Sequence, residues 1–259
     1  MRRLRVVGIG PGGPDQLTVE AVAALRSVDV FLVPDKGIPD LVALRVEILA
    51  RHTDGRAPLV EVPDPPRDRR PDDYERAVAD WHEARVETYE RALLDHVADD
   101  GVAGMLVWGD PSLYDSTLRI VARINARGVV PLAHDVVPGV SSVSLLAARH
   151  RIALHRVGEP VTITTGRRLP DAVTAGADNL VVVLDGALAC GGLAGSDWDL
   201  WWGANLGTPD EEVVAGRLGD VLVDVREARE RARTARGWVM DVYLLRRVAQ
   251  AGRTWATTQ

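Results

Sequence analysis

The chain has almost no lysine. Of its 31 basic residues, 30 are arginine and one, Lys36, is lysine. Arginine is a planar fork that stays charged, whereas the lysine ammonium is compact and its pKa moves on burial. A lone lysine after an apolar run is either a position that needs an ammonium or a chance survivor of biased codons. Cysteine is just as scarce, with Cys190 standing alone. That excludes an internal disulfide framework and any Cys-x-x-Cys metal clip, and it fits a reducing cytoplasm. The histidines are scattered, so no metal cluster is expected. No apolar run approaches the roughly 20 residues that cross a bilayer. The opening MRRLRVVGIGPGG breaks at glycines too early for a signal peptide and reads as a first strand. A basic excess is also missing: a net charge of −6 argues against a general nucleic-acid binder.

What is present is an α/β rhythm. A chain of 259 residues, 46% hydrophobic and 26% charged, suffices for two domains with cores of their own. Short apolar runs that end in glycine or acid read as buried strands: Val6–Ile9, Asp29–Val33, Leu59–Pro63, Gly104–Asp110 and VVPLAHDVVPG. Segments with apolar residues at helical spacing separate them, including the long Tyr74–Val97. After His150 the rhythm restarts with strands at Val161–Gly166, Asn179–Gly186 and Leu200–Gly207. A charged helix within Pro209–Arg236 and a last strand in WVMDVYLLRRV follow. The expected architecture is two α/β domains, residues 1–155 and 156–259, with mostly parallel sheets and a ligand cleft between them. Ligands of such sheets bind outside the carboxyl ends of the strands. Attention therefore falls on GIGPGG, PDKG, WGDPSLYD, VPGVSS, LDG and ANLGTPDE.

GIGPGG matches G-x-G-x-x-G through Gly8, Gly10 and Gly13, which suggests a dinucleotide fingerprint and a nicotinamide-dependent oxidoreductase. Pro11 and Pro14 stiffen the loop and delay the helix to about Leu17, whereas the fingerprint needs a helix N-terminus at the glycines. Asp29 stands at the start of the second strand and not at its end, so Asp35 is the better placed ribose ligand. A plain glycine turn is the competing reading. In WGDPSLYD, Gly109 admits a ligand to the backbone, Pro111 is placed to begin a helix, and Asp110 is either a ligand acceptor or a helix cap. In VPGVSS, Ser141 and Ser142 offer hydroxyls at a helix start, where caps are also common. Trp201 and Trp202 read as core packing, and Cys190 as a buried, inert thiol.

Taken in order, VVGIGPGG, DVFLV with an acid beyond it, GDPSLY, PGVSS and NLVVVLDG resemble the tetrapyrrole methylases, the class III S-adenosylmethionine-dependent methyltransferases. The resemblance spans nearly the whole chain. VFLVPDKG, DLVALRVEILARH and WGDPSLYDST resemble a branch that acts on a precorrin in cobalamin assembly and removes an acetyl group as it methylates. The resemblance implies a homodimer that folds S-adenosylmethionine into the cleft. It implies cofactor contacts from Pro11, Trp108, Gly109, Asp110, Leu113, Ser141 and Ser142. Further contacts would come from Leu184, from Ala204, Leu206 and Gly207, and from Met240. It places Asp35 as general base or proton relay, Lys36 on a substrate carboxylate or as a proton donor, and Tyr114 as a group that orients the substrate or cofactor. Arg67, Arg69, Arg70, Arg119 and Arg45 are candidates for the substrate's carboxylates. Another methylase of the same family, and a non-catalytic nucleoside-binding regulator, stay open as alternatives.

Overall fold

The computed structural model describes residues 1–35, 39–66 and 73–248. Lys36, Arg67, Arg69 and Arg70 lie outside the described residues. The chain forms two compact units that meet in sequence between Ser141 and Ser142.

The first unit is built on five strands: β1 (Arg2–Gly8), β2 (Val30–Asp35), β3 (Leu59–Pro63), β4 (Val102–Val107) and β5 (Leu132–Val137). Their order is β3-β2-β4-β1-β5, and every pairing is parallel. Near-continuous apolar runs give strands that are buried on both faces, as a covered parallel sheet requires. On one face α3 (Tyr74–His96) and α4 (Thr117–Arg127) enclose Leu4, Val6, Leu32, Met105 and Ile120. On the other, α1 (Val19–Leu25) and α2 (Pro39–His52) enclose Val7, Ile9, Phe31, Val33 and Leu106. Helix ends follow local chemistry. Thr18 caps α1 by accepting the Ala21 N–H at 3.0 Å, and Gly128 closes α4 in the left-handed conformation at φ 67°.

Two features of this sheet position the site. First, β2 stays paired with β3 as far as Asp35↔Pro63, but pairs with β4 only at Val30↔Ala103 and Phe31↔Gly104. The sheet therefore opens toward its carboxyl edge between β2 and β4. Second, the chain leaves β2 toward β3 and leaves β4 toward β5, in opposite directions. That reversal is the switch point at which open α/β sheets bind ligands.

The second unit begins with α5 (Ser142–His150) and carries β6 (Thr162–Thr165), α6 (Leu169–Thr174), β7 (Asn179–Val183), β8 (Trp198–Ala204), β9 (Glu212–Arg217), α7 (Leu218–Arg236) and β10 (Asp241–Arg247). The strand order is β6-β7-β10-β8-β9. Here the sequence reading needs correction, because only β6 and β7 run parallel and the other three pairings are antiparallel. β9 was expected to be part of a charged helix. It is instead an edge strand that alternates half-buried and exposed residues, a pattern that charged side chains at its ends disguise. The boundary also differs from residue 155. His150 Nε2 lies 2.9 Å from the Trp202 carbonyl oxygen, and Arg149 pairs with Glu211 at 2.6 Å, which ties α5 to the second unit. The core there holds Trp198, Trp202, Tyr243 and Cys190, all fully enclosed. Among the described residues no helix is long and apolar enough to cross a membrane.

Candidate functional site

In the first unit the carboxyl ends of β1, β4 and β5 converge on glycine. Gly10 and Gly109 bridge the loops after β1 and β4, with the Gly109 N–H donating to the Gly10 carbonyl at 2.8 Å and the Gly10 N–H donating back at 3.3 Å. Gly109 sits at φ 64°. A Cβ on Gly139 would fall 2.2 Å from the Gly109 oxygen, and one on Gly8 would fall 2.6 Å from the Gly139 nitrogen. Three backbones thus pack without side chains between them. This use of the glycines answers the dinucleotide reading. The GIGPGG loop continues into a 3-10 turn at Pro14–Gln16, and α1 begins only at Val19. No helix N-terminus stands at the glycines to meet a pyrophosphate.

Asp110 fastens this arrangement. Its Oδ2 accepts the Gly139 N–H at 3.0 Å and its Oδ1 accepts the Ser112 N–H at 2.9 Å, with the Ser112 hydroxyl as a further donor. Burial works against the charge, but the Ser112 hydroxyl and the two N–H groups outweigh it and hold the carboxyl below its ordinary range. Asp110 therefore clamps two loops and caps no helix. Pro111 does not begin one either: a turn intervenes and α4 starts at Thr117, where the Asp115 carboxylate accepts the Thr117 N–H at 2.6 Å. Because the folded pKa lies below the unfolded one, the clamp stabilises fully above the unfolded value of about 3.9 and fades as the pH falls through the folded value. The Tm deficit of Asp110→Asn should accordingly stay constant from neutral pH to about pH 5 and shrink below about pH 4. Melts over that range check it; a deficit that ignores pH would remove the clamp.

Around this core the expected residues fall as follows. Pro11 is buried, while Trp108, Leu113 and Ser141 are half-buried, and Ser142 opens α5 in the second unit. Tyr114 is exposed and held at φ 56°, a strained conformation for an aromatic residue. Asp35 ends β2, half-buried, with its carbonyl accepting the Asp64 N–H at 3.0 Å. Arg119 is exposed. Arg45 of α2 is only 4% exposed.

In the second unit, Leu184 follows β7 at φ 52° and is 68% exposed, an unusual state for an apolar side chain. Beneath it lies a buried network that sequence reasoning missed. Asp185 accepts the Ala189 N–H at 2.7 Å and the Tyr243 hydroxyl at 2.5 Å, and its carbonyl accepts from Arg229 at 3.2 Å. Arg229 pairs in turn with Asp241 at 2.8 Å. Burial raises the Asp241 pKa, and Arg229 only partly offsets it. Burial likewise pushes the Cys190 thiol up to about 11, so it is a poor nucleophile. The only sequence signal for this network was the Asp in LDG; Tyr243 and Arg229 are far from it along the chain.

The ANLG turn is held by Asn205 and Glu211. Asn205 is buried at φ 48°, accepts the Met240 N–H at 3.2 Å and donates to the Ala232 carbonyl at 3.3 Å. Glu211 accepts the Gly207 N–H at 2.6 Å. The Ala204 and Leu206 side chains are buried in the unit itself, whereas Met240 is exposed. What this turn offers a ligand is its backbone and Met240.

Comparison with known proteins agrees with this geometry. Residues 3–222 match the tetrapyrrole (corrin/porphyrin) methylases. The chain is 43% identical over 252 residues to precorrin-6A synthase (deacetylating) from Sinorhizobium sp., covering 96% of this chain and 97% of that one. A crystal structure of a cobalamin-synthesis-related protein (CobF) from Corynebacterium diphtheriae superposes with a TM-score of 0.84 at 37% identity, over 96% of this chain and 100% of that one. Uroporphyrin-III C-methyltransferase from Thermus thermophilus, solved with S-adenosylhomocysteine, shares the fold at a TM-score of 0.56 and 21% identity, over 94% of this chain and 97% of that one.

Proposed function

Because the chain belongs to the tetrapyrrole methylases, we propose that it methylates carbon 1 of precorrin-5 and releases the acetyl group as acetate, giving precorrin-6A. The observation that carries this reading is the 43% identity to a deacetylating precorrin-6A synthase along almost the full length of both chains. The balanced reaction is precorrin-5, S-adenosylmethionine and water to precorrin-6A, S-adenosylhomocysteine and acetate. The working form is taken to be a homodimer, on the strength of the family resemblance, and the single cysteine supports a reducing cytoplasm.

The residues present fit an adenosyl thioether. Gly109 brings its backbone to the carboxyl edge of β4 with no side chain in the way. Leu184 and Met240 present apolar surface, and the strained Leu184 backbone is held in place by the network under Asp185. When bound, S-adenosylmethionine supplies an electrophilic methyl group. The chain's own work is then positioning. By the family resemblance, the cofactor contacts are Pro11, Trp108, Gly109, Asp110, Leu113, Ser141, Ser142, Leu184, Ala204, Leu206, Gly207 and Met240. Fixing the methyl in line with a ring carbon about 3 Å away removes most of the entropic barrier. Asp35 takes the proton from the water that attacks the acetyl carbonyl, Lys36 neutralises a substrate carboxylate, and Tyr114 orients the macrocycle.

The test is direct. Incubated with S-adenosylmethionine and precorrin-5, the purified protein should add one methyl, lose the acetyl and release acetate in equal amount, read by product mass and acetate assay. Methylation without acetate would assign another ring carbon within the same family. Tight S-adenosylhomocysteine binding with no turnover on any precorrin would point to the regulatory reading.

A further inference from the structure

Arg45 is a buried cation with no counter-ion among the described residues. Its Nη1 donates to the Leu41 carbonyl at 2.9 Å, one turn back on α2, and its Nε reaches the Leu106 carbonyl at 3.4 Å. Leu106 lies on β4 beyond the last residue paired with β2. Arg45 thus extends into the opening between the two strands, at the switch point. Its guanidinium carbon lies 4.8 Å from the Trp108 ring centroid. Trp108 Nε1 is itself buried, with no hydrogen-bond acceptor among the described residues.

The balance of charge is one-sided. A guanidinium has five N–H donors, and two neutral carbonyls and a ring face leave it under-satisfied. Tyr89 and Asp115 act on its charge, but no ion pair with either is formed, and burial depresses its pKa to about 10. Arg85 nearby offers the contrast, since its Nε pairs with Asp64 at 2.8 Å and its Nη1 donates to Ser116 at 2.8 Å. A buried cation without a partner is costly, so folds keep one where an anion arrives. The choice of arginine fits as well, because only its planar fork can both stack on Trp108 and grip a carboxylate with two bonds.

Resting on the tetrapyrrole reading above, we infer that Arg45 is the anion subsite for a peripheral carboxylate of the substrate macrocycle, reached where β2 and β4 part. Of the five arginines the sequence offered for this role, three lie outside the described residues and Arg119 is exposed; Arg45 alone is buried and lacks a counter-ion among the described residues. The methionine carboxylate of the cofactor has the same chemistry, and the experiment separates the two.

Arg45→Met keeps the stem and removes the charge. Its KM for precorrin-5 should rise about 30-fold or more, with kcat and the S-adenosylhomocysteine affinity within about 3-fold of wild type. The ligand-free protein should melt no lower than wild type, because the buried charge it loses is unpaired in the empty site and its removal relieves a desolvation cost. Arg45→Lys, which keeps the charge but not the fork, should fall between the two. An unchanged KM, or a loss of S-adenosylhomocysteine affinity, overturns the inference. If Arg45→Met does not fold, Arg45→Lys decides by the same two readings. Failure of the functional reading shows separately, as no methyl transfer by the wild type. The Arg45 inference is then judged by whether the variants bind an octacarboxylic porphyrin more weakly than wild type in an absorbance titration.

Discussion

Gly139→Ala is expected to lose cofactor binding by about 100-fold, the scale set by moving a positioned group by about 1 Å. The added Cβ would fall 2.2 Å from the Gly109 oxygen and 2.8 Å from the Gly8 carbonyl carbon, and neither is the tip of a flexible side chain. Gly109 cannot retreat cheaply, because it is tied to Gly10 by a pair of backbone hydrogen bonds. The loop of residues 138–141 must move instead, and the Gly139 N–H then leaves Asp110. Overpacking of this kind costs about 1–3 kcal/mol of stability. Calorimetric titration with S-adenosylhomocysteine, alongside a thermal melt, gives both numbers. Gly128→Ala is the control: its φ of 67° makes alanine strained, but nothing lies within 4 Å of the added carbon. It should cost about 1 kcal/mol and leave binding untouched. A folded Gly139→Ala protein that binds like wild type would dissolve the three-glycine account of the site.

Asp35→Asn should lower turnover by about 100- to 10,000-fold, the usual weight of a general base, while S-adenosylhomocysteine binds as before. The exchange keeps size and hydrogen-bonding reach but removes the ability to take a proton. Asp35 stands at the end of β2, level with Pro63 of β3, where β2 has already parted from β4. Following methyl transfer and acetate release separately in the same reaction is the informative measurement. Loss of acetate release alone assigns Asp35 to the water that attacks the acetyl carbonyl. Loss of both assigns it to a proton that methylation also needs. Rates within about 3-fold of wild type for both steps would remove Asp35 from the chemistry.

The first unit was legible because its strands are written as apolar runs that end in glycine, and a sheet buried on both faces tolerates little else. The second was harder. β7, with every residue buried, looks the same whether its neighbour β10 runs with it or against it. Direction is decided by loops and packing that no local pattern carries. β9 escaped because an edge strand with one covered face reads as EVVAGR, and glutamate and arginine favour helix as readily. In the site, the glycines and the WGD stretch announced themselves through backbone demands. Arg45 did not. The sequence offered it only as one of five candidate arginines, and it is the parting of β2 and β4 that sets it apart from the others. The Asp185, Tyr243 and Arg229 network was invisible for a similar reason: its members join across strands and a helix that sequence spacing does not relate.

The strand order of the first sheet also governs when it can be made. β1 is synthesised before the other four strands of its sheet but pairs with neither β2 nor β3. Its partners are β4 and β5, which begin at Val102 and Leu132. At about 5–20 residues per second, β1 waits roughly 5–20 s for its first partner, with two unsatisfied edges and an apolar face. The nascent chain is therefore aggregation-prone during that interval, and slowing translation in the stretch before residue 102 would lengthen it.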